Sequence, residues 1–164
     1  MIGVDEHIHV VDMPTLRPSA MIGIFENISV FDLPAVIPMA VSLKTVVGTN
    51  VTVQSGGVTI TFSNVAAPGI TTITPISPAS AGQLPGGYQL GTTGLAFDIT
   101  TTAKFSGPIK ISFTVPSSTT QAAFNKLRIL HYENGILVDR TTSRDFVTKK
   151  VWATVTSLSP LRCC

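Results

Sequence analysis

The chain has 164 residues, long enough for one ordinary domain with its own core and a further segment. Apolar residues make up 44% but charged residues only 12%, which argues against disorder over most of the chain, while a net charge of +2 gives no reason to expect nucleic acid. The longest apolar run, Leu33–Leu43, holds Pro34 and Pro38 and is far short of the roughly 20 residues that cross a bilayer, so no membrane span is expected.

Charge is unevenly placed. Residues 1–43 carry Asp5, Glu6, Asp12, Glu26 and Asp32 against Arg17, giving −4, whereas residues 44–164 carry ten Lys or Arg against four carboxylates, giving +6. The two segments should attract each other, within or between molecules, at low salt.

Residues 1–40 are two copies of a 20-residue unit, MIGVDEHIHVVDMPTLRPSA and MIGIFENISVFDLPAVIPMA, identical at ten of twenty positions. In each unit Ile8, Val10 and Asp12, or Ile28, Val30 and Asp32, alternate with period two before Pro14 or Pro34. That reads as a short strand ended by a residue that cannot donate to a ladder. A lone strand cannot bury its apolar face, so these six residues are expected to add to a sheet edge of the same or a neighbouring copy. His7 and His9 share a strand face beside Asp5 and Glu6, as metal ligands can, but the second unit has Asn27 and Ser29 there. They read as polar surface, and neither a metal nor a cofactor is expected.

From Lys44 the pattern is continuous β. Val51 and Val53 lead to Gly56-Gly57, a turn, and Val58, Ile60 and Phe62 alternate with Thr59, Thr61 and Ser63, which predicts a hairpin with one buried face. A Thr-rich strand with Ile70 and Ile73 follows. Residues 77–94 are Pro- and Gly-rich and predict a long loop, a surface connector or a binding loop with Tyr88 as its one aromatic. Phe97 and Ile99 start another strand, and Ile109, Ile111, Phe113 and Val115 give the cleanest alternation. Gln121–Lys126 is the one helix-like patch. Leu127, Ile129 and His131 then face one way and Arg128, Leu130 and Tyr132 the other. Asn134-Gly135 predicts a type I′ turn, and Val151–Thr156 a final strand.

Eight or nine short strands with turns every 8–12 residues predict an all-β, antiparallel β-sandwich over 44–164, immunoglobulin-like, carrying residues 1–43 as an extended arm.

No catalytic constellation is visible. Asp98, Glu133, Asp139 and Asp145 are single carboxylates at turns or strand ends, and His131 reads as a hydrogen-bonded core or edge residue, so no enzyme is expected. Arg140, Arg144, Lys149 and Lys150 are expected to form a basic patch for an acidic partner, the chain's own arm being the nearest one. The adjacent Cys163 and Cys164 cannot build a long-range disulfide framework and read as an unstructured end, with free thiols or bonds between chains. Met1-Ile-Gly-Val-Asp-Glu lacks the basic and then apolar regions of a signal peptide, so a leader has been removed or the chain is part of a longer protein.

Phe97-Asp98-Ile99-Thr100-Thr101-Thr102-Ala103, Gly107-Pro108-Ile109, Leu127-Arg128-Ile129-Leu130-His131-Tyr132-Glu133-Asn134-Gly135, Val138-Asp139 with Thr141-Thr142-Ser143, and Val155-Thr156-Ser157-Leu158-Ser159-Pro160 together resemble a sandwich module found near the C-termini of large secreted bacterial and archaeal surface proteins. Glu26-Asn27-Ile28-Ser29-Val30-Phe31-Asp32 is similar to short repeats strung along such proteins. The resemblance implies a non-catalytic, structural, extracellular or cell-surface module. Its partner would be another copy, a surface glycan or a host protein. The family's usual cysteines are absent where Phe113 or Trp152 stands. The module is itself distantly similar to the sandwich domains of ankyrins and netrin receptors, which implies an ankyrin-sandwich-like fold, and its last strand resembles the autoproteolysis strand of adhesion receptors; self-cleavage there needs a His–Leu–Ser/Thr tripeptide, but here the residues are Ser157-Leu158-Ser159, so none is expected.

Overall fold

The computed structural model describes residues 39–89 and 94–164. Two antiparallel sheets pack face to face, an all-β sandwich as the alternation predicts. One sheet has the order β1 (Val41–Thr45), β4 (Gly69–Pro75), β5 (Leu95–Thr101), β11 (Leu161–Cys163), β7 (Ile129–Glu133), β8 (Ile136–Asp139). The other has the order β2 (Gly48–Ser55), β3 (Val58–Ala67), β6 (Lys104–Thr114), β10 (Lys150–Val155), β9 (Thr141–Asp145). The six residues expected to act in self-association, Ile8, Val10, Asp12, Ile28, Val30 and Asp32, lie outside the described residues, as do His7 and His9.

Period-two alternation explains why these segments form strands and which face each one buries. On β3, Val58, Ile60 and Phe62 are fully buried; on β6 the same holds for Ile109, Ile111 and Phe113, and on β10 for Val151 and Ala153. Opposite them the six-stranded sheet contributes Ile73, Phe97, Ile99, Ile129 and Leu161. The Phe97 ring stacks on Phe113 across the two sheets with centroids 5.5 Å apart. Threonines complete the inner face near the edge, where Thr45, Thr71 and Thr101 pass hydroxyl bonds across β1, β4 and β5 at 2.6 and 2.9 Å. That chain satisfies oxygens which burial would otherwise leave unpaired.

The two hairpin turns form where expected. Gly56 and Gly57 have φ of +56° and +80°, and Asn134 and Gly135 have +49° and +90°, the left-handed pairs that match the twist of the flanking strands. The helix α1 (Gln121–Lys126) is also present, its first turn capped by the Thr120 hydroxyl, which accepts from the Ala123 N–H at 3.3 Å.

Three expectations need correction. Eleven strands are present among the described residues rather than eight or nine, and β1 begins at Val41, so it straddles the expected start of the sandwich at residue 44. Val151–Thr156 is not the final strand: β11 follows it and inserts between β5 and β7, with Leu161 opposite both Phe97 and His131. Cys163 and Cys164 are therefore not a tail, being 2% and 7% exposed. Arg128 and Cys164 exchange two backbone bonds, at 2.6 and 2.8 Å, that extend the ladder beyond β11. The physical reason is that β11 is stabilised by the two neighbours it pairs with and not by any local preference of Leu-Arg-Cys.

Residues 77–89 do more than connect. They include a short 3-10 turn, Pro78–Ala81, and Leu84 and Tyr88 pack on Leu130, Leu137 and Cys164. Leu130, outward-facing by parity, is buried for that reason.

Candidate functional site

The described residues with most chemical capacity meet where the chain crosses from β10 into β11. Alternation along β7 turns His131 inward, fully buried, and brings Glu133 to the same side at the strand's end. Ser159 arrives from the crossover, two residues before Leu161, which pairs with His131. The Ser159 Oγ lies 2.6 Å from His131 Nε2 and 2.6 Å from the Tyr132 carbonyl oxygen. On the other side of the ring, His131 Nδ1 is 2.6 Å from Glu133 Oε1. Arg140, in the link between β8 and β9, grips that carboxylate with Nε at 2.8 Å from Oε1 and Nη2 at 2.5 Å from Oε2.

This two-point grip is the main reason the Glu133 pKa falls from 4.5 to about 2, with burial opposing and the His131 bond assisting. Because Glu133 stays ionised, His131 Nδ1 must carry its proton and donate to it. The remaining ring nitrogen then has two options. A neutral ring accepts the Ser159 hydroxyl proton. A charged ring donates to Ser159 Oγ, whose own proton turns to the Tyr132 carbonyl, so that every donor in the chain has an acceptor.

Nucleophile, base and orienting carboxylate are thus connected as in serine acyl transfer. The same bonds also fasten the β10–β11 crossover to β7, and the Tyr132 N–H reinforces them by donating to the Pro160 carbonyl at 3.0 Å. Oγ also lies beside the Tyr132 carbonyl, an acceptor that competes with His131 Nε2 for the hydroxyl proton, and together these bonds fasten β11 in the sheet. The sequence points to His131 as a hydrogen-bonded residue, to Glu133 as a single carboxylate and to Ser159 only as the last member of Ser157-Leu158-Ser159, and it does not bring the three together. The signal available was that all three lie in the segments that carry the resemblance.

On the outer face of the same sheet, Asp139 accepts from Tyr88 Oη at 3.2 Å and from the Thr141 N–H at 2.9 Å, with Arg128 Nε 3.5 Å away. Burial resists its ionisation, but those bonds and the Arg128 charge leave its pKa below the ordinary value. Tyr88, the expected aromatic of a binding loop, is tied down by this contact and half-buried.

The four residues expected to form an acidic-partner patch do not share one surface. Arg140 holds Glu133, and Arg144 Nε donates to the Leu127 carbonyl at 2.7 Å from a position paired with buried Val151. Lys149 Nζ donates to the Thr119 carbonyl at 2.8 Å and sits 3.3 Å above the Phe146 ring centre. Lys150 lies opposite Asp145, on the other face of the sheet from Arg144.

The edge strands are the remaining candidates. Among the described residues β1 has β4 as its one ladder partner, and around it Met39 (81%), Val46 and Val47 (57% each), Ile70 (41%) and Val41 (38%) are exposed. Among the described residues no His, Cys, Asp and Glu are grouped to hold a metal, and no helix is long and apolar enough to cross a membrane. Comparison with family models, curated proteins and solved structures finds no match for this chain.

Proposed function

We propose that the chain is a non-catalytic structural protein of the cell exterior whose sandwich joins further copies by strand addition, the N-terminal repeats supplying the added strands. The observation that carries this reading is β1: an edge strand that directly follows the repeats, surrounded by exposed Met39, Val41, Val46, Val47 and Ile70. An edge strand that, among the described residues, has one ladder partner and is flanked by exposed apolar side chains is a template for another strand, with Lys44 as its one charge. Ladder bonds would supply affinity, Ile8, Val10, Ile28 and Val30 the apolar contacts, and Asp12 and Asp32 the attraction to a basic body. The low charge and abundant Thr and Ser support an extracellular setting. Adhesion to a surface glycan or a host protein is the alternative role for the same module.

The test compares the full chain with one beginning at residue 39, by light scattering and electron microscopy at equal concentration and low salt. A cut at residue 39 leaves β1 whole, whereas a cut after residue 43 would destroy it and confound the result. Oligomers or filaments that require residues 1–38 support the proposal. An association state that is the same with and without them refutes it.

A further inference from the structure

The outer face of the five-stranded sheet carries a second candidate site. Register places Ser143, Trp152 and Ser112 side by side across β9, β10 and β6, with Thr154 next to Lys110 one step along. Between Trp152 and Ala153 the pairing with β9 shifts: Ser143 faces Trp152, Thr141 faces Ala153, and Thr142 has no partner. Such a bulge bends the edge strand and re-aims its side chains. The result is a shallow cleft of about 430 Å³ lined by Lys110, Thr142, Ser143, Trp152, Ala153 and Thr154.

Its chemistry is specific. Trp152, the chain's one tryptophan, is half-buried on a face that is otherwise mostly Thr, Ser and Lys. Lys110 is exposed, and Lys150 stands two residues before Trp152 on the same side. The carboxylate opposite Lys150, Asp145, is drawn into the following turn, accepting from the Val147 N–H at 2.9 Å and the Thr148 hydroxyl at 2.7 Å. An indole face, hydroxyls on either side and two ammonium groups without an ion-pair partner among the described residues suit a sugar ring that bears a carboxylate. The ring's C–H face stacks on the indole, its hydroxyls meet Ser143 and Thr154, and its carboxylate meets Lys110, while Lys150, to the other side of Trp152 along the strand, faces the next acidic unit of the saccharide. An acidic peptide would satisfy the lysines but offer the indole no flat apolar face.

We propose that this cleft binds an acidic, uronate-type saccharide. Because Trp152 is the chain's one indole, its emission reports on the site directly. The full chain is titrated with an oligogalacturonate, with cellohexaose as the neutral control. A saturable change in emission with the acidic sugar alone is expected, weakened by added salt and about tenfold weaker in Lys110→Ala, as for loss of one charge-assisted hydrogen bond. Lys110 is exposed, so its variant should keep the wild-type urea midpoint, which separates lost binding from lost folding. The inference is overturned if millimolar oligogalacturonate leaves the emission unchanged, if cellohexaose binds equally well, or if Lys110→Ala binds with wild-type affinity.

Discussion

Leu161→Ala tests whether the end of the chain is the interior of a sheet. Leu161 is fully buried, on the inner side of β11, opposite Phe97 on one neighbour and His131 on the other. Truncating a leucine in such a place removes its transfer energy and leaves a cavity that flanking strands cannot close, which costs about 2–5 kcal/mol. Against a total stability on the order of 5–15 kcal/mol, a loss near the middle of that range is large. It should lower the melting temperature by roughly 10 °C in a domain of this size. Urea unfolding followed by Trp152 emission and by far-ultraviolet circular dichroism measures it, with Val147→Ala, at an 89% exposed position, as the surface control. The midpoint should fall while the slope stays constant, as for a change in stability alone. A Leu161→Ala midpoint as close to wild type as that of Val147→Ala, within about 0.5 kcal/mol, would refute the placement of β11.

Glu133 makes stability depend on pH with a defined sign. Its folded pKa, about 2, lies below the ordinary 4.5, so its contribution is complete above about 4.5 and is lost as the pH falls toward 2. The full gap would be worth about 3 kcal/mol, and we expect roughly 1–2 kcal/mol because solvent reaches the carboxylate's outer edge. Glu133→Gln should therefore be less stable than wild type at neutral pH and flatter between pH 4.5 and 2, measured by urea midpoints across that range; parallel profiles would count against the Arg140 grip. The cysteines give an independent check. Burial, with some help from the neighbouring thiol, pushes Cys163 up to about 12, and burial also raises Cys164. Both should resist a thiol-reactive disulfide reagent at pH 8 in the native protein and react rapidly in urea; rapid labelling of two thiols without denaturant would contradict the strand.

The fastening at Ser159 bears on assembly as well as on stability. If arms add to the β1 edge, the body must present a rigid sheet, and the interior strand β11 is its shortest, with three residues. Its hold depends on Leu161 within the core, on the Arg128–Cys164 backbone exchange at one end, and on the Ser159–His131–Glu133–Arg140 chain at the other. Each is non-local, so the sheet closes when β5 and β7 are already close.

Features that depend on neighbours along the chain are legible in the residues alone. Alternation in Val58–Phe62 and Ile109–Phe113 sets strands with a known inner face, and Gly56-Gly57 and Asn134-Gly135 supply the positive φ angles of two hairpins. Thr120 ahead of Gln121 caps the helix α1. Features that depend on residues far apart in sequence emerge with the packed sandwich. Leu-Arg-Cys is too short for a period, and Arg162, 2% exposed, looks like a surface residue until loop and sheet surround it. Ser159 and His131 stand 28 positions apart and meet because β11 pairs with β7. Arg144 and Lys150 belong to one basic stretch of sequence but to opposite faces of a sheet, while Lys150 and Lys110, distant in sequence, share a face with Trp152. Local propensity fixes where strands run and which way their side chains point, but ladder partners are chosen by the closing of the whole sandwich.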